Sequence, residues 1–139
     1  MMINLPLKIA VITALMIGAH EILPEVEGAV LPVFGPFTIT EIEPSSDNGW
    51  SIISGKMDKN RNCSFQSMQF TVKGDGIEAV AGYRFLETTK VRPAEISSPF
   101  GPWEVQFEAS DQRPVTLTAW HDCHWGYLTE TSVDVQWAE

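Results

Sequence analysis

Three histidines, two cysteines and a pair of glutamates on one predicted strand are the groups in this chain whose types and spacing could do chemistry. His121, Asp122, Cys123 and His124 form a tight run, H-x-x-H with a carboxylate and a thiol inside it, and the first chemistry it suggests is metal binding. Successive side chains on a strand point to opposite faces, so His121 and His124 diverge and could share an ion only where the chain turns after Asp122. The plainer reading has both rings bonding locally and packing Trp120 and Trp125. A second metal set draws on His20. Cleavage after Ala19 would make His20 the N-terminal residue, whose amine and imidazole chelate Cu(II), and Asp122 and His124, two apart on one face, would complete a nitrogen and oxygen site.

Cys123 between two imidazoles also has the surroundings of an activated thiolate. Its one possible bridging partner is Cys63, sixty positions earlier, and the compartment decides between nucleophile and bridge. Ile9 to Ala19 is an apolar run with Lys8 before it and Glu21, Glu25 and Glu27 after it, an order that keeps the N-terminus inside and sends the body out. Eleven residues rise about 17 Å, roughly half of a ~30 Å hydrocarbon core, which suits the apolar region of a signal peptide. Extended from Ile3 through Leu23, with Lys8 snorkelling, the same stretch becomes a membrane anchor. Both readings deliver the body to an oxidising space, where a cysteine pair is a disulfide. Closing a loop of about sixty residues contributes about 4 kcal/mol in the chain-entropy model, and it removes the thiol.

Other catalytic patterns are missing. No G-x-S-x-G, H-E-x-x-H, P-loop or dinucleotide fingerprint occurs. Glu104 and Glu108 share a strand face about 13 Å apart, beyond the separation of a glycosidase pair, and are expected to be solvated. The expectation is therefore a protein that is not an enzyme and holds no cofactor, with copper as the alternative.

The chain has 139 residues, 44% hydrophobic and 19% charged, with a formal charge of −9, which fits a folded chain with one core. Lys8 lies in the N-terminal segment, so the body carries eight basic against eighteen acidic residues, a net of −10. Such a body repels phosphate, and the short basic cluster of Lys56, Lys59 and Arg61 is broken by Asp58. Nucleic acid and peripheral binding to anionic lipid are excluded on that ground.

The elements that must position these groups are strands. Residues 1–24 read as the anchor or signal peptide, 25–36 as an extended Pro/Gly tether without helix or strand, and 37–139 as a β-sandwich ectodomain. Strands are predicted over Phe37–Glu43, Trp50–Met57, Cys63–Val72, Ile77–Phe85, Trp103–Ala109, Val115–Cys123 and Tyr127–Trp137, with a long connection from Leu86 to Trp103. In the third, Cys63 and Phe65 share one parity and Met68, Phe70 and Val72 the other, which calls for a bulge near Gln66 and Ser67. In the sixth, Val115, Leu117, Ala119, His121 and Cys123 fall on one face. The fold class is all-β: an immunoglobulin-like antiparallel β-sandwich of about seven strands behind an N-terminal hydrophobic helix, its cysteines on strands three and six bonding across two sheets. A small Greek-key barrel is the second choice. Trp103 and Trp137 keep core parity. Trp50, Trp120 and Trp125, with His121 and His124, are the candidate binding surface.

Gly55, Met57, Lys59, Arg61, Cys63 and Phe65, then Gly101, Pro102 and Trp103, then His121, Cys123, His124, Thr129 and Thr131 resemble a group of small single-span membrane proteins of unknown function encoded by tailed phages. That group carries a hydrophobic N-terminus, G-x-M-x-K-x-R-x-C, a G-P-W loop and a closing H-x-C-H followed by T-x-T. Trp125 stands here where the group usually has proline. The resemblance covers the chain end to end and implies an anchor in the host cytoplasmic membrane, N-terminus in and body in the periplasm, and a Cys63–Cys123 disulfide. It implies no activity. The expected function is a non-enzymatic interaction module whose partner is an envelope or viral protein, with a virion-associated structural role as a further alternative.

Overall fold

The alternating apolar patterns become eight strands, and the apolar run one helix, in the computed structural model, which describes residues 5–74, 76–86, 97–108, 113–124 and 126–138. Helix α1 spans Leu5–Val30. The strands are β1 Phe34–Pro44, β2 Ser51–Lys59, β3 Ser64–Gly74, β4 Ile77–Ala81, β5 Tyr83–Phe85, β6 Ser97–Val105, β7 Val115–His124 and β8 Tyr127–Trp137. They form one sheet in the order β4-β3-β7-β8-β1-β2-β6-β5. All neighbours are antiparallel except β1 and β8, whose parallel pairing joins the two halves. The end strands of that order, β4 and β5, are consecutive in the chain and separated by Gly82. One run therefore leaves the edge of β3 and arrives at the edge of β6, and the sheet is barrel-like.

Inside, the register of the apolar pattern decides what is buried. Phe37 stacks on Phe100 at 4.0 Å between centroids, and Trp103 lies 4.8 Å from Phe100. Ile53, Phe70, Val105, Leu117 and Ala119 fill in around them. Trp103 is thus a core tryptophan, as its parity predicts, and Trp137 meets Phe107 edge-on. The predicted bulge in the third strand is present: Phe65 faces His121, and Ser67 already faces Trp120. The single face of Val115, Leu117, Ala119 and His121 is buried as expected.

Several expectations are corrected. The stretch 25–36 is not a tether, because the helix continues to Val30 and β1 begins at Phe34. Pro24 sits inside the helix. It lacks the N–H that would bond to the carbonyl of His20, and its ring crowds that carbonyl. The two segments Lys8–His20 and Ile22–Val30 accordingly meet at 44°. Phe100, Gly101, Pro102 and Trp103, expected in a loop, belong to β6, where Gly101 takes a φ of +87° beside a register shift against Ile53 and Gly55. The clean alternation of Ile77, Ala79 and Phe85 does not bury them, since β4 is an edge strand with Ile77 and Val80 facing solvent.

The disulfide forms, but within one sheet. Ser64 faces Asp122 across β3 and β7, so Cys63 and Cys123, one step further along, face each other with their Cα atoms 4.7 Å apart. That spacing matches a directly opposed pair of antiparallel neighbours. The expected bond across two sheets is therefore wrong in detail: β3 and β7 are adjacent, which strand parity alone cannot reveal.

Candidate functional site

The C-terminal half of α1 lies against β8 so closely that side-chain volume decides the sequence. A Cβ on Gly28 would stand 1.4 Å from the carbonyl oxygen of Glu130. Only hydrogen fits there. One residue earlier, Glu27 enters a pocket of donors built from three elements: Arg61 from the turn after β2, His124 from the end of β7, and Tyr127 and Thr129 from β8. Arg61 Nη1 donates to Glu27 Oε1 at 2.7 Å, His124 Nε2 lies 2.6 Å from the same oxygen, and Thr129 Oγ1 donates to Oε2 at 3.1 Å. Burial pushes the Glu27 carboxyl up, but the hydrogen bonds from Arg61, His124, Tyr127 and Thr129 outweigh it and hold the group at about 2. Tyr127 shifts the other way: its bond to Glu27 raises the phenol above its ordinary value. Arg61 also donates to the carbonyl of Leu31, and Thr131 Oγ1 accepts from the N–H of Val33. The exit of the helix is thus fixed on both sides.

This clamp stands next to the disulfide in sequence as well as in space. Arg61 precedes Cys63 by two residues and His124 follows Cys123, so the bridge holds two of the donors to Glu27 in register. His121, on the inner face of β7, sits between Phe34 and Phe65 at 5.9 and 5.8 Å. Its Nδ1 is buried without a hydrogen-bond partner. Burial first, and the positive charge of Lys59 second, depress its imidazole to about 4.

His20 comes to the same end of the molecule. Its ring lies edge-on to Tyr127 at 6.3 Å and its Nε2 is 3.2 Å from the carbonyl of Gly126. The juxtaposition of His20 with the β7–β8 turn, on which the copper alternative depends, does occur. The ligand set does not assemble: His124 Nε2 is turned to Glu27 and Arg61, His20 is mid-helix, and no group of three His, Cys, Asp or Glu side chains among the described residues could hold a metal. His121 and His124 diverge to opposite sides of β7, one buried and one exposed, as alternation requires.

The tryptophan surface does not form as expected. Trp120 points outward from β7 and donates through Nε1 to Glu130 at 3.0 Å. Trp50 precedes β2 at the far end of β1, where Arg84 lies 4.6 Å over its ring. β1 runs the length of the barrel between them, with Phe34 beside His121 and Pro44 opposite Ser51, so the two indoles have separate partners at separate ends. Trp125 lies outside the described residues.

At the Trp50 end a second cluster was not legible in the sequence. Glu104, expected to be solvated, is buried. It accepts from Ser45 and pairs with Arg84, which also pairs with Asp47. Arg84 first, then Ser45, holds the Glu104 carboxyl below its usual range. The signal that could have found it is the lone Arg84 on an otherwise apolar strand, directly opposite Glu104 in the β5–β6 pairing.

No family model, curated protein or solved structure matches the chain.

Proposed function

We propose that this protein is a membrane-anchored, disulfide-stapled β-domain that serves as a non-enzymatic interaction module. The observation that carries the reading is the first half of α1. Ile9, Val11, Ile12, Leu15, Met16 and Ile17 are each between 51% and 70% exposed, so the helix offers apolar side chains all round and nothing among the described residues covers them. A helix of that kind belongs in lipid or against another protein. No single described helix is long and apolar enough to cross a membrane, but Lys8–His20 and Ile22–Val30 pass that test as a bent pair. Glu27 and Gly28 engage the barrel, so the part assigned to lipid is the segment that ends near His20.

Lys8 before the segment and the acids after it favour N-terminus in and body out, and the Cys63–Cys123 bond suits an oxidising compartment. With its sulfur bonded, Cys123 has no thiolate to offer. The connectivity supports an immunoglobulin-like reading: β1-β2-β6-β5 follows the A-B-E-D order, and β3-β7-β8 follows C-F-G. By resemblance to the phage single-span group, the membrane is the host cytoplasmic membrane, the body is periplasmic, and the partner is an envelope or viral protein.

Flotation of the expressed full chain with membranes, alkaline carbonate extraction and N-terminal sequencing test this together. Retention in extracted membranes with the apolar segment intact is the expected result. Release by carbonate with the segment intact would move the helix from lipid to a protein assembly, and a mature N-terminus at His20 would make it a cleaved signal.

A further inference from the structure

We infer that the β7–β8 turn, with Tyr127 and Leu128, is the face of the barrel that lies in the headgroup layer of the bilayer, so that the domain is held in one orientation instead of swinging on a linker. This rests on the anchored reading above and adds to it a defined lipid-facing surface. Three observations carry it.

The first is the clamp. Gly28 against Glu130, and Glu27 among Arg61, His124 and Thr129, leave no free linker between helix and barrel. Wherever the apolar segment goes, the barrel follows as one body.

The second is the level at which helix and barrel first meet. His20, the residue directly after the apolar run, touches Gly126 and Tyr127, and the helix then passes alongside β8 to Gly28 beside Glu130. The turn is therefore the part of the barrel nearest the apolar segment, while the Pro44–Trp50 end is the most distant. At the break after His20 the helix bends by 44°, and the side chains of the apolar segment before it stay exposed.

The third is length. From Lys8 to His20 a helix rises only about 18 Å, against a hydrocarbon core of about 30 Å. With the Lys8 ammonium at one headgroup layer, His20 cannot stand clear of the other, and the bilayer must thin around the segment or draw the turn toward it. The residues found there suit that layer. Tyr127, whose hydroxyl bonds to Glu27, offers that layer only its half-buried ring, and Leu128 is 41% exposed with no cover among the described residues. The strongly acidic body does not oppose this placement in a zwitterionic bilayer, because Arg61 pairs with Glu27 at that end and a zwitterionic surface does not repel the exposed Asp122.

The test uses the full chain with its disulfide intact, reconstituted in phosphatidylcholine vesicles that carry headgroup-attached nitroxide lipids in both leaflets, so that the direction of insertion does not matter. A fluorophore is attached to a single added thiol, in Leu128→Cys or, at the distal end, in Asn48→Cys. The expected result is that the label at 128 loses most of its emission to the nitroxide while the label at 48 keeps it. Adding Gly28→Ala to the Leu128→Cys protein should restore most of that emission while the protein still floats with the vesicles. If the protein floats and the labels at 128 and 48 are equally bright, the orientation is refuted and the anchor stands. If it does not float, the anchored reading fails and the orientation fails with it.

Discussion

Replacing Gly28 by alanine should destabilise this protein, although alanine is the better helix former. In an undocked helix the change would gain about 1 kcal/mol. In the clamp the new methyl would sit 1.4 Å from the Glu130 carbonyl oxygen, less than half of an ordinary contact, so the helix must withdraw by about 2 Å. Withdrawal carries Glu27 out of reach of Arg61 and His124, which now lie 2.7 and 2.6 Å away. The value of those bonds follows from the carboxyl, held at about 2 against an ordinary 4.5. At 1.36 kcal/mol per pH unit that difference is about 3 kcal/mol, reduced to about 1–2 by solvent screening. Overpacking adds about 1–3 kcal/mol. Loss exceeds gain, and the net is about 1–4 kcal/mol, a drop in melting temperature of about 4–15 °C for a chain of this size. Gly18 supplies the control, since a Cβ there meets nothing within 4 Å. The assay is thermal unfolding in detergent micelles together with the rate of proteolysis within residues 22–31. Gly18→Ala should leave both unchanged or improved, and Gly28→Ala should worsen both. A Gly28→Ala protein that melts with wild type and resists protease equally would refute the docked helix.

The remaining predictions concern charge and sulfur. His121 has its folded pKa lowered to about 4 from 6.5; its stabilisation is complete above pH 6.5 and is lost as pH falls toward 4, up to about 3 kcal/mol. His121→Phe, which keeps a ring between Phe34 and Phe65 and removes the orphan nitrogen, should flatten urea midpoints over that window, and a midpoint that still falls as steeply would count against the assignment. Glu27 acts lower, with stability present above pH 4.5 and lost as pH falls through about 2, so Glu27→Gln should lower stability by about 1–2 kcal/mol at neutral pH and make the acid limb shallower, leaving the part due to Glu104. Replacing both Cys63 and Cys123 by alanine should cost about 4 kcal/mol in urea unfolding, with faster proteolysis between Val30 and Phe34 as Arg61 and His124 lose their register; an unchanged protease pattern would uncouple bridge from clamp.

What was legible in advance was everything that depends on period and local composition. Strict alternation located β7, β8 and the core parity of Trp103, and a parity change fixed the bulge between Phe65 and Ser67, because on a pleated strand a side chain's direction follows from counting. The apolar run after Lys8 marked a helix whose apolar side chains stay exposed among the described residues. The failures are of two kinds. Residues 25–36 read as a tether because Pro32 and Pro36 stand there with Gly28 and Gly35, and local propensity cannot anticipate β8 accepting a helix with glycine at the contact. Ile77 and Glu104 were misplaced because burial depends on which strand lies next door: β4 is an edge, while β6 has neighbours on both sides and a guanidinium opposite its acid.

The sequence by itself determined that two thiols, an apolar helix and a set of half-buried strands belong to one chain, since those properties are carried by residue type and spacing over a few positions. The tertiary structure alone decided that Cys63 and Cys123 are neighbours within one sheet, that His124 meets the Glu27 carboxylate, and that Glu27 locks the helix to the barrel. Each of those depends on residues from about 30 to about 100 positions apart, and such meetings are chosen by strand order and close packing, which no local pattern records.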